Sequence, residues 1–252
     1  MVRYVRWDGM SLLHYAASNH LPRAVEVCRL LIQAFRGLVL ELDESTDDLY
    51  LQPLHTACHR GNLPVVECIL DMHPDAIRGE SSDGSFPIHY AVHALTRTPQ
   101  AAVEVVKNLL SVDPSVASQE VNGITNAYPL INVCVMPNVL SWNAGLEVIK
   151  LLYNAYPEAI VNAEEIFRRG IDISHFVDAV RDFINEQLRY ATQASNLQLV
   201  RTQDGNGRLP LHHALEEVAP WGAIKLLVQA DPATLQIPDS EGSLPLHIAA
   251  SK

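Results

Sequence analysis

The sequence predicts an all-α fold, a solenoid of helix-turn-helix repeats with short β-turn or hairpin tips and one long inserted helix. Three observations predict it. A short motif centred on histidine recurs at intervals near 34 residues, a leucine-rich run follows each copy, and one long segment lacks both but has a helical pattern of apolar residues. Recurrence at a fixed period is typical of stacked repeats, in which each repeat buries its apolar face against its neighbours.

The motif places a proline two positions before the histidine and an alanine two positions after it, as in Leu-Pro-Leu-His-x-Ala. His212 and His247 are 35 residues apart, and His55 and His89 are 34 apart. The motif histidines are His14, His55, His89, His212 and His247. The motif prolines are Pro53, Pro87, Pro129, Pro210 and Pro245. In the fourth repeat Ile131 replaces the histidine, so that repeat is degenerate.

Each motif position has a physical role. Proline has a preset φ and no amide hydrogen, so it suits the first position of a helix. The dipeptides Asp8-Gly9, Asp83-Gly84, Asn122-Gly123 and Asp204-Gly205 precede it. They tolerate positive φ, so we expect them to form the tight turn of each repeat. A ring nitrogen of each motif histidine is expected to bridge backbone groups of adjacent turns, which is a structural role.

A second helix is predicted behind each motif by runs such as Val65-Val-Glu-Cys-Ile-Leu70, and a proline then ends that helix. The predicted repeats cover residues 7–45, 48–81, 82–120 and 122–160, followed by a helical insertion at 161–200. A fifth repeat covers 203–237, and a sixth, 238–252, lacks its second helix. That incomplete repeat predicts further repeats downstream.

With these residues in view, the chain resembles ankyrin-repeat proteins, whose pattern is a β-turn, a Thr-Pro-Leu-His helix and a second helix at a period near 33. Its Leu-Pro-Leu-His variant is similar to repeats of the large ankyrin families of unicellular algae. The resemblance covers most of the chain but not residues 161–200. It implies that partners bind on the concave face formed by the turn tips and the first helices.

The insertion carries apolar residues three and four positions apart, which predicts one amphipathic helix of about 20 residues. We expect this helix to pack on the repeats, although a docking helix for a partner is the alternative. Its outer face would pair Asp178 with Arg181 and Glu186 with Arg189. The apolar positions are Ile173, Phe176, Val177, Val180, Phe183, Ile184, Leu188 and Ala191.

Composition narrows the partners and the location. Eighteen Lys and Arg against 29 Asp and Glu give a formal charge of −11, which disfavours nucleic acid and anionic lipid. The uncharged stretch Val121–Leu146 contains asparagines and prolines, so we interpret it as buried structure with no membrane insertion. Four scattered cysteines and the lack of a signal peptide favour an intracellular, cytoplasmic location.

No sequence motif supports catalysis. His55, Cys58, His59 and Cys68 are close in sequence, but three of them fall on one helix and would face different ways, so zinc is not expected. Gly205-Asn-Gly207 is interpreted as a hairpin tip, and the acidic run at 41–48 as a loop. The sequence therefore predicts a protein that is not an enzyme, with no cofactor, metal or small-molecule substrate.

The leading hypothesis is a scaffold that binds partner proteins through the concave face. The alternative is a regulatory or targeting portion of a larger protein whose effector or catalytic domain lies outside this chain. The face positions that the repeat framework leaves variable are Thr56, His59, Arg60, Ser85, Tyr90, His93, Asn206, Arg208, His213, Glu216, Glu217 and Ser243. Aromatic, imidazole and charged groups mixed on one surface suit a protein partner.

Overall fold

The computed structural model describes residues 10–40, 42, 51–121, 128–136, 142–159 and 178–251. These residues form helices and turns, and no β-strand occurs among them. The predicted all-α repeat fold is therefore confirmed. The chain divides into two compact units, Met1–Leu151 and Leu152–Lys252, which are described separately.

In the first unit, helices alternate between a first and a second helix of each repeat. The first helices are α1 (Leu12–Ser18), α3 (Pro53–Arg60), α5 (Pro87–His93) and α7 (Pro129–Val135). The second helices are α2 (Ala24–Ala34), α4 (Leu63–Met72), α6 (Pro99–Val112) and α8 (Trp142–Ala155), of which the residues from Leu152 on, Tyr153 among them, belong to the second unit. Short 3₁₀ segments follow at Arg36–Leu40, Pro74–Arg78, Ala94–Thr96 and Pro114–Ser118.

Like packs on like in this unit. First helices contact first helices, α1 with α3, α3 with α5 and α5 with α7, while α2 contacts α4 and α4 contacts α6. Alanines such as Ala57 and Ala91 are fully buried between successive first helices. The small side chain lets neighbouring helices approach closely, while Leu54, Ile69 and Leu109 fill the space between the two helix layers.

The motif histidines connect one repeat to the next. The backbone N–H of Gln52 donates to His55 Nδ1 at 3.2 Å, and the opposite ring nitrogen of His55 lies 3.2 Å from the backbone oxygen of Ser85 in the following repeat. Because Nδ1 accepts, Nε2 carries the proton and donates, so the neutral ring is the form that fits. Burial accordingly lowers the pKa of His55 to about 4.

The same pattern recurs at other motif histidines. His14 Nε2 lies 2.7 Å from the backbone oxygen of Leu51, and His212 Nε2 lies 3.2 Å from that of Ser243. Ser11 is the one serine or threonine at a first-helix cap position, and its Oγ accepts from the backbone N–H of His14 at 3.4 Å. Phe86, Leu209 and Leu244, at three other cap positions, have apolar side chains, so the histidine is the polar side chain that bonds the cap N–H there.

The turn tips share one register. In each four-residue turn, the backbone N–H of the fourth residue donates to the carbonyl of the first residue. The fourth residue is a glycine with positive φ: Gly84 (76°), Gly207 (71°) and Gly242 (80°). The turns predicted at Asp83-Gly84 and Asp204-Gly205 are both present, and in the second turn Gly205 occupies the second position while Gly207 takes the positive φ. Asp8-Gly9 and Asn122-Gly123 lie outside the described residues.

The second unit contains the inserted helix α9 (Asp178–Ala194), the short α10 (Leu197–Val200) and two more repeat motifs. The first helices are α11 (Pro210–Glu216) and α13 (Pro245–Ala250), and α12 (Trp221–Ala230) is a second helix followed by a 3₁₀ segment at Pro232–Gln236. All five motif prolines occupy the first helical position of α3, α5, α7, α11 and α13.

Helix α9 packs on α12, as α2 packs on α4 in the first unit. Its buried side chains include Phe183, Tyr190 and Ala191. The ring of Phe183 meets that of Tyr153 edge to face at 5.8 Å between centroids. Gly222, at the start of α12, lies so close to Tyr153 that an added Cβ would be 2.6 Å from its ring. The described part of the insertion is therefore bound to a repeat rather than projecting from it.

Other predictions for this segment have different outcomes. The structure does not describe the side chains on which several of these predictions depend. They are those of Ile173, Phe176, Val177, Val180, Ile184 and Leu188 and of the predicted pair Asp178 and Arg181. Arg189 pairs with Glu217 of the next repeat, at 3.2 Å, instead of with Glu186. No helix within the described ranges is long and apolar enough to cross a membrane.

Candidate protein-interaction face

Three rings meet at the ends of two neighbouring first helices in the first unit. His59, near the end of α3, lies edge to face with Tyr90 and with His93 of α5, at centroid distances of 6.1 and 6.3 Å. Tyr90 also contacts the ring of buried His55 at 5.2 Å. His59 and Tyr90 are half-buried and His93 is exposed, and the histidine that joins the two repeats packs against Tyr90.

Arginines border these rings. Arg60 ends α3, Arg97 follows the 3₁₀ segment after α5, and both side chains are exposed, as is His93. The pKa of His59 is lowered to about 4, first by burial and then by neighbouring Arg97, His93 and Arg60. Among the described residues, neither arginine forms an ion pair with a carboxylate. We refer to His59, Arg60, Tyr90, His93 and Arg97 as the basic cluster.

Two further predicted face residues of this unit are less accessible. Thr56 is 6% exposed, and its hydroxyl lacks a hydrogen-bond partner within the described part of the chain. Ser85 is half-buried in the turn tip, where its hydroxyl donates to Asp83 Oδ2 at 3.0 Å. The structure therefore brings together His59, Arg60, Tyr90 and His93, and it places Thr56 in the interior.

In the second unit, the predicted face residues are already paired with one another. Arg208 Nη1 lies 2.7 Å from Glu216 Oε2, and Arg208 Nε lies 3.5 Å from Asp239. His213 Nε2 lies 3.0 Å from Asp204 Oδ2. Hydrogen bonds from the backbone of Arg208 and Asn206 hold the pKa of Asp204 below its ordinary value.

Glu217 accepts hydrogen bonds from the inserted helix. The hydroxyl of Tyr190 donates to Glu217 Oε2 at 3.0 Å, and Arg189 Nη2 donates to the same oxygen at 3.2 Å. Burial, followed by the bond to Glu217, raises the pKa of Tyr190 to about 12. The Arg189 guanidinium also lies 4.8 Å from the centre of the Tyr190 ring, within cation–π range.

These groups border an open cleft of about 390 Å³ between α9 and the fifth repeat. Arg189, Tyr190 and Gln193 line one side, and Asp204, His213 and Glu217 are among the residues on the other. Asn206 is exposed at the turn, and its carbonyl accepts from the N–H of Ser240 in the next turn. Ser243 contributes its carbonyl to His212. In this unit, the polar groups of the face largely stabilise the fold itself.

Sequence reasoning missed three residues of these surfaces: Arg97, Arg189 and Tyr190. Arg97 lies in the additional segment between the helices of the third repeat, where no repeat position applied. Arg189 was assigned a partner on its own helix because the spacing fitted. The apolar pattern of α9 omitted Tyr190, although its position, seven residues after Phe183, was available as a signal.

In the described ranges, no three His, Cys, Asp or Glu residues come close enough together to hold a metal ion. Cys28, Cys58, Cys68 and Cys134 are buried free thiols. Burial raises the pKa of Cys58 and of Cys134, as expected for thiols that pack in a core and lack activation. His55 is engaged in backbone hydrogen bonds on both ring nitrogens.

Comparisons with known proteins give one family match and two similar chains. Residues 13–120 match the family described as ankyrin repeats in three copies. A probable 26S proteasome regulatory subunit p28 of Saccharomyces cerevisiae is 26% identical over 200 residues, which covers 79% of each chain. A solved complex of a predatory endopeptidase of Bdellovibrio bacteriovorus with its immunity protein contains a similar chain at 15% identity, a TM-score of 0.39 and coverage of 96% and 92%.

The family match covers the repeats that carry the basic cluster. It begins at Leu13 in α1 and ends at Glu120, just after the 3₁₀ segment of the third repeat. The matched region and the histidine-linked helices of the structure point to the same fold. The resemblance inferred from the motif is confirmed: residues 13–120 of this chain are similar to ankyrin repeats.

Proposed function

We propose that this chain is a non-enzymatic scaffold that binds partner proteins through the exposed ends of its first helices and turn tips. Ankyrin repeats are typical of protein-protein interaction, and the relative similar to this chain is named a regulatory subunit. The observation that carries the proposal is the set of rings formed by His59, Tyr90 and His93. Aromatic groups in rigid surroundings are the usual anchors of protein interfaces.

Rigidity is what makes the rings useful. His55 lies beneath Tyr90 and links α3 to the next repeat, so the rings hold their places before a partner arrives. A surface that is ordered in advance loses less conformational entropy on binding. The first unit therefore offers the more favourable binding surface, because its polar groups are less committed to internal pairs than those of the second unit.

Site-specific photo-crosslinking tests the proposal. A photoreactive amino acid replaces Arg60 on a first helix or, as the matched control, exposed Glu67 on the second helix α4. The proposal expects protein adducts in cells from position 60 and few from position 67. Adducts that form equally at both positions, or only at 67, contradict it. Circular dichroism checks that both variants remain folded.

A regulatory subunit of a larger assembly is a second candidate, and the similarity to the proteasome subunit over 79% of both chains favours it. Purified 26S proteasome mixed with the labelled chain provides the test in native gel electrophoresis. Comigration of the label with the proteasome supports the assignment. Migration of the label only as free protein at micromolar concentrations contradicts it.

A further inference from the structure

The basic cluster is unusual for so acidic a chain. The formal charge is −11, yet the ends of α3 and α5 and the turn after α5 bring two arginines and two histidines together. Arg97, His93 and Arg60 all act on His59, and no carboxylate is among the groups that shift its pKa. The positive charge of Arg60 and Arg97 thus has no internal counterpart in the described ranges.

The spacing of the His59 and His93 rings, at the ends of two first helices, fits an extended peptide. The rings of His59 and His93 lie 6.3 Å apart and belong to two adjacent repeats. In an extended chain, alternate side chains on one face are separated by about 6.6 to 6.8 Å. Acidic residues at alternate positions would therefore face successive first helices, with the bordering arginines as bidentate donors.

The second unit shows what satisfies such helix ends within the protein. There, the matching positions hold Glu216 and Glu217, and each already has an arginine partner, Arg208 and Arg189. In the first unit, the position of Glu217 holds the cation Arg60, which has no carboxylate partner among the described residues. A partner that pairs with Arg60 would carry carboxylates.

We infer that the basic cluster binds an extended, acidic segment of a partner protein, with carboxylates on Arg60 and Arg97 and the chain lying across the rings of His59, Tyr90 and His93. The inference rests on the proposed scaffold function and specifies the chemistry of its partner. Nucleic acid fits less well, because the net charge of −11 repels a polyanion and two arginines neutralise few phosphates.

Fluorescence anisotropy with the full chain tests this inference. The probe is a fluorescein-labelled peptide of three Glu-Ser-Asp-Tyr units, and its control has lysine at every acidic position. The double variant Arg60→Glu and Arg97→Glu should bind the acidic probe at least about tenfold more weakly than the wild type. Arg23→Glu with Arg36→Glu, two exposed arginines of the first repeat, makes the same charge change and should stay within about twofold.

Several results would overturn the inference. They are failure of the acidic probe to bind the wild type, equal loss in both double variants, and equally tight binding of a single-stranded DNA of the same length. The lysine peptide should not bind, and affinity for the acidic probe should decrease as salt is raised. Intact thermal unfolding of each variant excludes misfolding as the cause of a loss.

Failure of the inference is separable from failure of the scaffold proposal. Adducts from position 60 that persist while the acidic probe shows no preference would mean that the face binds proteins of another chemistry. Absence of adducts from position 60 together with absence of peptide binding would contradict both. Probe binding that is lost with Arg60→Glu and Arg97→Glu, together with adducts from position 60, supports both.

Discussion

The first helices of the two units differ in charge at equivalent positions. Four and five residues after the motif histidine, α3 has His59, whose pKa of about 4 leaves it neutral at pH 7, and the cation Arg60, whereas the fifth repeat has Glu216 and Glu217. A helix C-terminus carries partial negative charge, so cations are favoured there and carboxylates are not. The carboxylates of the second unit are accordingly compensated by Arg208 and Arg189.

This difference shows how one repeat framework supports two kinds of surface. In the first unit, the helix dipoles favour the cations, which stay exposed and able to bind a partner. In the second unit, the inserted helix provides Arg189 and Tyr190 to Glu217, so the insertion occupies part of the face. The hydrogen bonds from the motif histidines to the next repeat are common to both units. They hold the fold, whereas the residues at the helix ends vary between the units.

The largest effect should come from breaking the common framework. His55→Ala and His212→Ala each leave the buried backbone N–H of Gln52 or Leu209 without its partner, remove the bond to the next repeat and leave a cavity, so each should reduce the free energy of unfolding by roughly 3 kcal/mol. His247→Ala is the matched control, because that histidine is exposed and bonds the N–H of Leu244, and it should cost less than about 1 kcal/mol. Urea denaturation measures all three, and equal losses would contradict a special role for the inter-repeat bridge.

Acid should weaken the first unit through His55. Its folded pKa of about 4 is lowered from the ordinary 6.5, so above pH 6.5 the ring is neutral in both states and costs nothing. As the pH decreases from 6.5 to 4, the unfolded chain binds a proton that the folded chain does not, and stability falls by roughly 3 kcal/mol across that window. His59, whose pKa is lowered mainly by burial, adds a loss of the same sign.

Urea denaturation at pH 7.5, 6 and 4.5 measures this loss. Carboxylates such as Asp83, whose pKa lies below 3.8, change the free energy of unfolding mainly at lower pH, so they add little to the loss between pH 6.5 and 4. His55→Gln should flatten the slope between pH 6 and 4.5, whereas His20→Gln, an exposed histidine, should leave it unchanged. A slope that survives in His55→Gln would assign the acid sensitivity to other groups.

The repeat framework could be predicted from the sequence because its signals are local. A proline starts each first helix, and the histidine spacing sets the period, as with Pro210 and His212. The partners of Glu217 could not be predicted, because they lie on a helix outside the repeat pattern. The turn at Asp204-Gly205 could be predicted, but the positive φ of Gly207 could not, since a dipeptide rule does not state which glycine closes the turn.

The candidate face was predicted in part. His59, Arg60, Tyr90 and His93 follow from the first-helix positions, and the structure brings them together. Arg97 could not be found in this way, because it lies in an additional 3₁₀ turn that has no repeat equivalent. Burial of Thr56 also depends on how tightly α3 and α5 pack, which a sequence pattern does not give.

One backbone position should respond oppositely in the two units. Six residues after the motif histidine, Gly61 has φ 66° and Val218 has φ 54°, so a branched side chain occupies a left-handed site that suits glycine. Val218→Gly should stabilise the chain by about 1 kcal/mol, because the valine is 71% exposed and loses little burial.

Gly61→Ala should instead destabilise it by about 2 kcal/mol. Its new Cβ would lie 2.8 Å from Thr98 Oγ1 and 2.9 Å from the Ala101 side chain, in addition to the backbone strain. Thermal and urea unfolding of the two variants provide the measurement. Gly84→Ala is the control for strain alone, because it has φ 76° and open space around it. Stabilisation by Gly61→Ala, or destabilisation by Val218→Gly, would contradict the matched roles.

The smallest effect should come from the pair between the insertion and the fifth repeat. Arg189 and Glu217 are each about half exposed at 53% and 48%, so a double-mutant cycle with alanine should give a coupling of about 0.5 to 1 kcal/mol that decreases with salt. Arg60→Ala should cost less still, since Arg60 has no carboxylate partner in the described ranges. A coupling near zero would mean that the Tyr190 hydroxyl alone satisfies Glu217. Tyr190→Phe would then produce the larger loss of stability. Glu217 would keep only its solvent-weakened pair with Arg189, at the helix end that is unfavourable for a carboxylate.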